Sequence, residues 1–193
     1  MPCATTTRHD IKACESLTFQ PDQPQATMKF LTFAIAFFYH ATTTYSTPIQ
    51  SPVTGTVSAP TPGEDIAPGS TFSFHWQENN WCNSGYSSFT AYLYPGDNGA
   101  APGINDVSDS GVLENALFNF GTYVVANFGL PRMGTPPPSA LVMPDLSAVN
   151  GESFTNANFF ITLVENYFGC PPDISVEYGL ISIPIVYNAT LSS

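Results

Sequence analysis

Positive charge is what this sequence most lacks. Its 193 residues hold four Lys and Arg against fifteen Asp and Glu. Arg8, Lys12 and Lys29 fall in the first 46 residues, which leaves Arg132 as the only basic side chain beyond them. Proteins that bind DNA or RNA displace phosphate counterions with many Lys and Arg, and anionic lipid surfaces are held by the same groups. Neither a nucleic acid nor a membrane is therefore an expected partner. Charge of either sign is scarce, 10% of residues against roughly 25% in an average soluble domain, so Ser, Thr, Asn and Gly must supply much of the solubility. Histidine is nearly absent too, with His75 alone beyond His40. A zinc cluster, a Ser-His-Asp triad or a Cys-His pair would each have to be built around that one imidazole. No catalytic residue, metal ligand or cofactor is assigned on this ground.

No apolar run approaches the roughly 20 residues that a spanning helix needs. The longest begins after Met28-Lys29 and runs from Phe30 to Phe38, the proportions of a secretory signal peptide. Cleavage after Ser46 would leave Thr44 and Ser46 as the small residues at minus three and minus one. The expected organisation is a non-native or disordered leader over 1–27, a signal peptide over 28–46 and one domain over 47–193, with secretion to the cell exterior or wall. A sequence pI near 4.2 suits an acidic medium, in which many carboxylates become neutral. Cysteine is sparse as well: without the leader only Cys82 and Cys170 remain. In an oxidising compartment these are expected to pair. Asn188-Ala189-Thr190 is the one Asn-x-Ser/Thr sequon, so Asn188 is the expected glycan site.

Helical periodicity is weak, and short alternating runs between Pro and Gly turns dominate. Thr71–Trp76 puts Phe72, Phe74 and Trp76 on one face and Thr71, Ser73 and His75 on the other. Ser88–Tyr94 repeats the pattern, with Phe89, Ala91 and Leu93 opposite Thr90, Tyr92 and Tyr94. Further strands are expected over Phe118–Ala126, Ala140–Met143, Asn158–Tyr167 and Ser175–Tyr187, the last interrupted by Pro184, which belongs at an edge or bulge. Seven to nine strands point to an all-β, antiparallel, immunoglobulin-like sandwich with two long loops. In that order Cys82 follows the second strand and Cys170 the sixth, and both loops fall at one end.

The run Ile49-Gln50-Ser51-Pro52-Val53-Thr54-Gly55-Thr56-Val57, followed by Ala67-Pro68-Gly69-Ser70-Thr71-Phe72-Ser73-Phe74-His75-Trp76, resembles the start of the Kre9/Knh1-like domain of fungal secreted and cell-wall proteins. The resemblance covers about 30 residues. It implies an extracellular immunoglobulin-like domain at the fungal wall and carries over no catalytic residue.

Around the cysteines, Trp81 and Tyr86 flank the first, and Tyr167 and Phe168 precede the second. These four rings are the candidate ligand-binding residues, for sugar stacking or an extracellular protein partner; packing around the disulfide is the alternative use for them. Twelve acidic residues beyond position 46 allow too many carboxylate pairs for a glycosidase assignment to discriminate among them. Two functional classes stay open: a non-catalytic, wall-associated or polysaccharide-binding protein, effector-like in one version, and a secreted hydrolase or copper-dependent enzyme acting on polysaccharide. The copper version needs His40 as a new amino terminus with His75 as second ligand, and Tyr39 and Phe37 are bulky for the required cleavage.

Overall fold

The computed structural model describes residues 47–189 apart from 80–84, 97–98, 127–128, 150, 152 and 171–173; the side chains of Cys170, Ile174 and Ser175 also lie outside the described set. The leader and signal peptide expected over 1–46 fall outside it as well. One compact unit spans Thr43–Ser193.

Alternation over residues 71–77 does what the pattern implies. Phe72 and Phe74 are buried and Trp76 half-buried, while Thr71, Ser73 and His75 face solvent. The run forms β3 (Thr71–Ser73) and β4 (His75–Gln77), interrupted at Phe74. β4 pairs antiparallel with β1 (Thr56–Ala59), and β3 with β7 (Ala140–Val142). Together these make the smaller layer. The larger sheet has five strands in the order β2–β9–β8–β5–β6, built from β2 (Glu64–Ile66), β5 (Tyr86–Tyr94), β6 (Phe118–Ala126), β8 (Ala157–Cys170) and β9 (Ile174–Tyr187). The five-stranded sheet packs against the two short ribbons, β1–β4 and β3–β7, as an all-β sandwich. One feature departs from a purely antiparallel design: β2 runs parallel to β9, pairing Glu64 with Ile185 and Ile66 with Tyr187.

The layers meet in an aromatic core. Phe89 is fully buried, with ring centroids 4.4 Å from Trp76, 5.4 Å from Tyr123 and 6.0 Å from Phe74. Ile161, Leu163, Ile185 and Tyr187 extend this core along β8 and β9. The face of the large sheet expected to be polar is also buried. Tyr92 and Tyr94, only 4% and 2% exposed, pack with Val164 and Tyr178 under Val107 and Leu113. The long connection between β5 and β6, with a 3-10 turn at Ile104–Asp106, folds back over this face, which is why β5 is apolar on both sides.

Pro184 lies opposite Phe160 within the β8–β9 ladder, not on an outer strand. Its carbonyl accepts from Gly63 N–H at 2.7 Å. Carbonyl and nitrogen of one strand residue face the same neighbour, so the missing N–H points to the start of β2, where no ladder bond is lost.

Candidate functional site

Register brings the loop-bearing strand ends together. Tyr86 opens β5 opposite Ala126 at the end of β6, Ser88 pairs with Asn166 of β8, and Tyr167 pairs with Glu177 of β9. The ends of β4, β6 and β8 therefore lie at one end of the sandwich; residues 80–84 and 171–173 of the two cysteine-bearing loops lie outside the described residues.

Inside this end sits a carboxylate that the alternation of β8 places on the core face, after Phe159, Ile161 and Leu163. Glu165 is 2% exposed. Gly55 N–H donates to both of its oxygens at 3.1 Å, Trp76 Nε1–H donates to Oε1 at 2.6 Å and Tyr167 O–H donates to Oε2 at 3.0 Å. Burial pushes the Glu165 carboxyl above the ordinary carboxylate range, with the negative charge of Glu78 adding to the effect and the three donors opposing it. The Tyr167 hydroxyl is pushed up by burial and then by the charge of Glu165. Glu78 itself accepts a short hydrogen bond from Ser87 Oγ. The arrangement fastens the segment before β1 and the indole of β4 to the middle of the large sheet. Both oxygens of Glu165 accept hydrogen bonds inside the core, so the carboxyl group is committed to holding these segments together.

Two glycines make room for it. A Cβ on Gly55 would lie 2.5 Å from Glu165 Oε1 and 2.6 Å from both Gln77 O and Trp76 Nε1, and one on Gly179 would lie 2.6 Å from Glu165 Oε2. Because Gln77 O is backbone, Gly55→Ala cannot be absorbed by a side-chain swing. It is expected to cost about 2 kcal/mol, as overpacking typically does, and to shift the Trp76 emission; chemical denaturation followed by tryptophan fluorescence checks both.

Outside the same end, the connection over 129–139 lies against the sheets. Tyr86 O–H donates to Pro131 O at 3.0 Å, Val124 N–H to Thr135 O at 2.8 Å, and Phe74 N–H to Ser139 O at 2.9 Å. Two open grooves flank its prolines. One, of about 410 Å³, is lined by Ser58, Phe74, His75, Trp76, Gln77, Pro137, Pro138 and Ser139. The other, of about 420 Å³, is lined by Val124, Val125, Ala126, Leu130, Arg132, Pro136 and Pro137. Pro137 belongs to both.

The expected binding residues fare differently. Trp81 and Cys82 lie outside the described residues, as does the side chain of Cys170, so the disulfide does too. Tyr86 is half-buried with its hydroxyl held by Pro131. Tyr167 is 3% exposed and committed to Glu165, so it presents no ring for stacking. Phe168 is exposed, and successive strand side chains point to opposite faces, so it stands away from Tyr167. Asn188 lies far along β9 from the loop end, beside β2, and its N–H bonds Ile66 O at 3.0 Å. His75 is exposed on the polar face of β4, as expected, and lines a groove that alternation alone could not reveal. Among the described residues no cluster of three or more His, Cys, Asp or Glu is placed to hold a metal ion, and no helix is long and apolar enough to cross a membrane. Comparison with protein-family models, with curated proteins and with solved structures finds no match to this chain.

Proposed function

We propose that this is a non-catalytic, secreted protein of the fungal exterior that binds cell-wall polysaccharide through the groove between β4 and the proline-rich connection. The observation that carries the reading is the make-up of that groove. Imidazole, carboxamide and hydroxyl groups from His75, Gln77, Ser58 and Ser139 stand beside the rings of Pro137 and Pro138. Sugars present the matching surface of hydroxyls over an apolar ring face. The polar groups of β1 and β4 sit on paired strands, which limits the ordering cost of binding. None of the described lining residues is acidic, whereas glycoside hydrolysis requires two carboxylates across the scissile bond. The carboxylate whose proton affinity is raised, Glu165, faces the interior and is saturated with donors.

The test is a pull-down of residues 47–193 on insoluble glucan, chitin and cellulose. Wild-type protein is expected to be retained on at least one of them. The double variant His75→Ala/Gln77→Ala, altered only at exposed positions, is expected to lose about ten-fold in affinity, the worth of one or two hydrogen bonds. Absence of retention on all three counts against the reading, and release of soluble sugar would favour a hydrolase instead.

A further inference from the structure

Beyond residue 46, twelve carboxylates stand against one guanidinium. In so anionic a domain an arginine has many partners to choose from, yet no described carboxylate makes an ion pair with Arg132. It lies in the groove with Val124, Val125, Ala126, Leu130 and the rings of Pro136 and Pro137. Leu130 and Met133 on either side of it are 40% and 58% exposed. Pro137 lines both this groove and the polar one, so a chain lying across that proline meets the groups of His75 and Gln77 on one side and the guanidinium of Arg132 on the other.

We infer that the polysaccharide recognised here carries acidic sugars spaced among neutral ones, with one uronate carboxylate taken by Arg132 while neighbouring neutral residues occupy the His75–Gln77 groove. This rests on the polysaccharide-binding reading above and narrows its ligand class. Arginine rather than lysine suits the role, because its flat fork matches a carboxylate with two parallel hydrogen bonds. Spacing follows from charge. A densely charged polyuronate would meet a domain whose net charge is strongly negative, and repulsion over a Debye length of about 10 Å at 0.1 M salt would oppose every carboxylate but the one at Arg132. A sparsely substituted chain presents the one carboxylate and little else to repel.

The experiment uses the purified protein with three polymers: a xylan bearing occasional glucuronic acid, the same xylan after chemical reduction of its carboxyls, and polygalacturonate. Affinity electrophoresis is expected to show wild type binding the acidic xylan about three- to five-fold more tightly than its reduced form, the range of one exposed ion pair. Polygalacturonate is expected to bind more weakly than the acidic xylan at low salt and to gain on it as salt rises. Arg132→Gln, at an exposed loop position, is expected to bind both xylans as wild type binds the reduced one, with an unchanged melting temperature. Equal binding of the two xylans by wild type, or a preference that survives Arg132→Gln, overturns the inference while leaving the polysaccharide reading intact. Failure to bind any of these polymers or the insoluble wall polysaccharides removes both.

Discussion

Phe89→Ala is expected to destabilise the domain by about 4 kcal/mol, the usual cost of truncating a buried phenylalanine. Phe89 has no exposed surface and touches rings from both layers, Phe74 and Trp76 on the small sheet and Tyr123 on the large one. Removing it opens a hole that these rings cannot close without leaving their strands, so the lost contacts add to the lost transfer free energy. Urea denaturation gives the measurement. A loss of this size is a large part of the 5 to 15 kcal/mol typical of whole domains. A midpoint within about 1 kcal/mol of wild type would mean that the two layers are not joined through this residue.

Glu165→Leu is expected to cost about 3 kcal/mol at neutral pH. Leucine removes the acceptor of Gly55 N–H, Trp76 Nε1–H and Tyr167 O–H, and an unsatisfied buried donor costs about 1 to 3 kcal/mol. Relief of a buried charge offsets part of the sum. Trp76→Phe, which deletes one of the stranded donors, is expected to cost less in the Glu165→Leu background than in wild type, the non-additivity of residues in one network. The pH dependence has a definite sign. Glu165 is held above the ordinary carboxylate value of about 4.3, so its contribution is fully present below that value and is lost as pH rises through the raised one. The gap between wild type and Glu165→Leu should therefore be wider in acid than at neutrality. A gap that narrows on acidification would show that the three donors outweigh burial.

The strands were legible because they obey a period of two between strong breakers. Phe118–Ala126 falls where the alternation puts it, and Thr71–Gln77 sorts its faces residue by residue. Burial of Tyr92 and Tyr94 was not legible, because tyrosine suits a wet face or a covered one equally. What decides between them is the fold-back of residues 104–116, a long-range event. Glu165 carried a faint local signal, a carboxylate in register with Phe159, Ile161 and Leu163, but its partners lie 110 and 89 positions away at Gly55 and Trp76. Tyr167 was read as a ring near a cysteine. Its neighbour in space is a buried carboxyl group, which turns a candidate for stacking into a structural donor. The grooves depend on where the connection over 129–139 settles, and proline content marks that stretch as a loop without saying which surface it covers.

That connection also has a bearing on colloidal behaviour. β6 is the last strand of the five-stranded sheet, and an open strand edge can template the next molecule. At neutral pH like-charged molecules keep their distance, but near pH 4.2, the sequence isoelectric point, that barrier vanishes. What guards the edge then is Thr135, seated on Val124 N–H, and the three prolines after it, which have no N–H to offer an incoming strand. The covered length of β6 thereby offers an incoming strand fewer free N–H groups at the pH where charge repulsion is weakest.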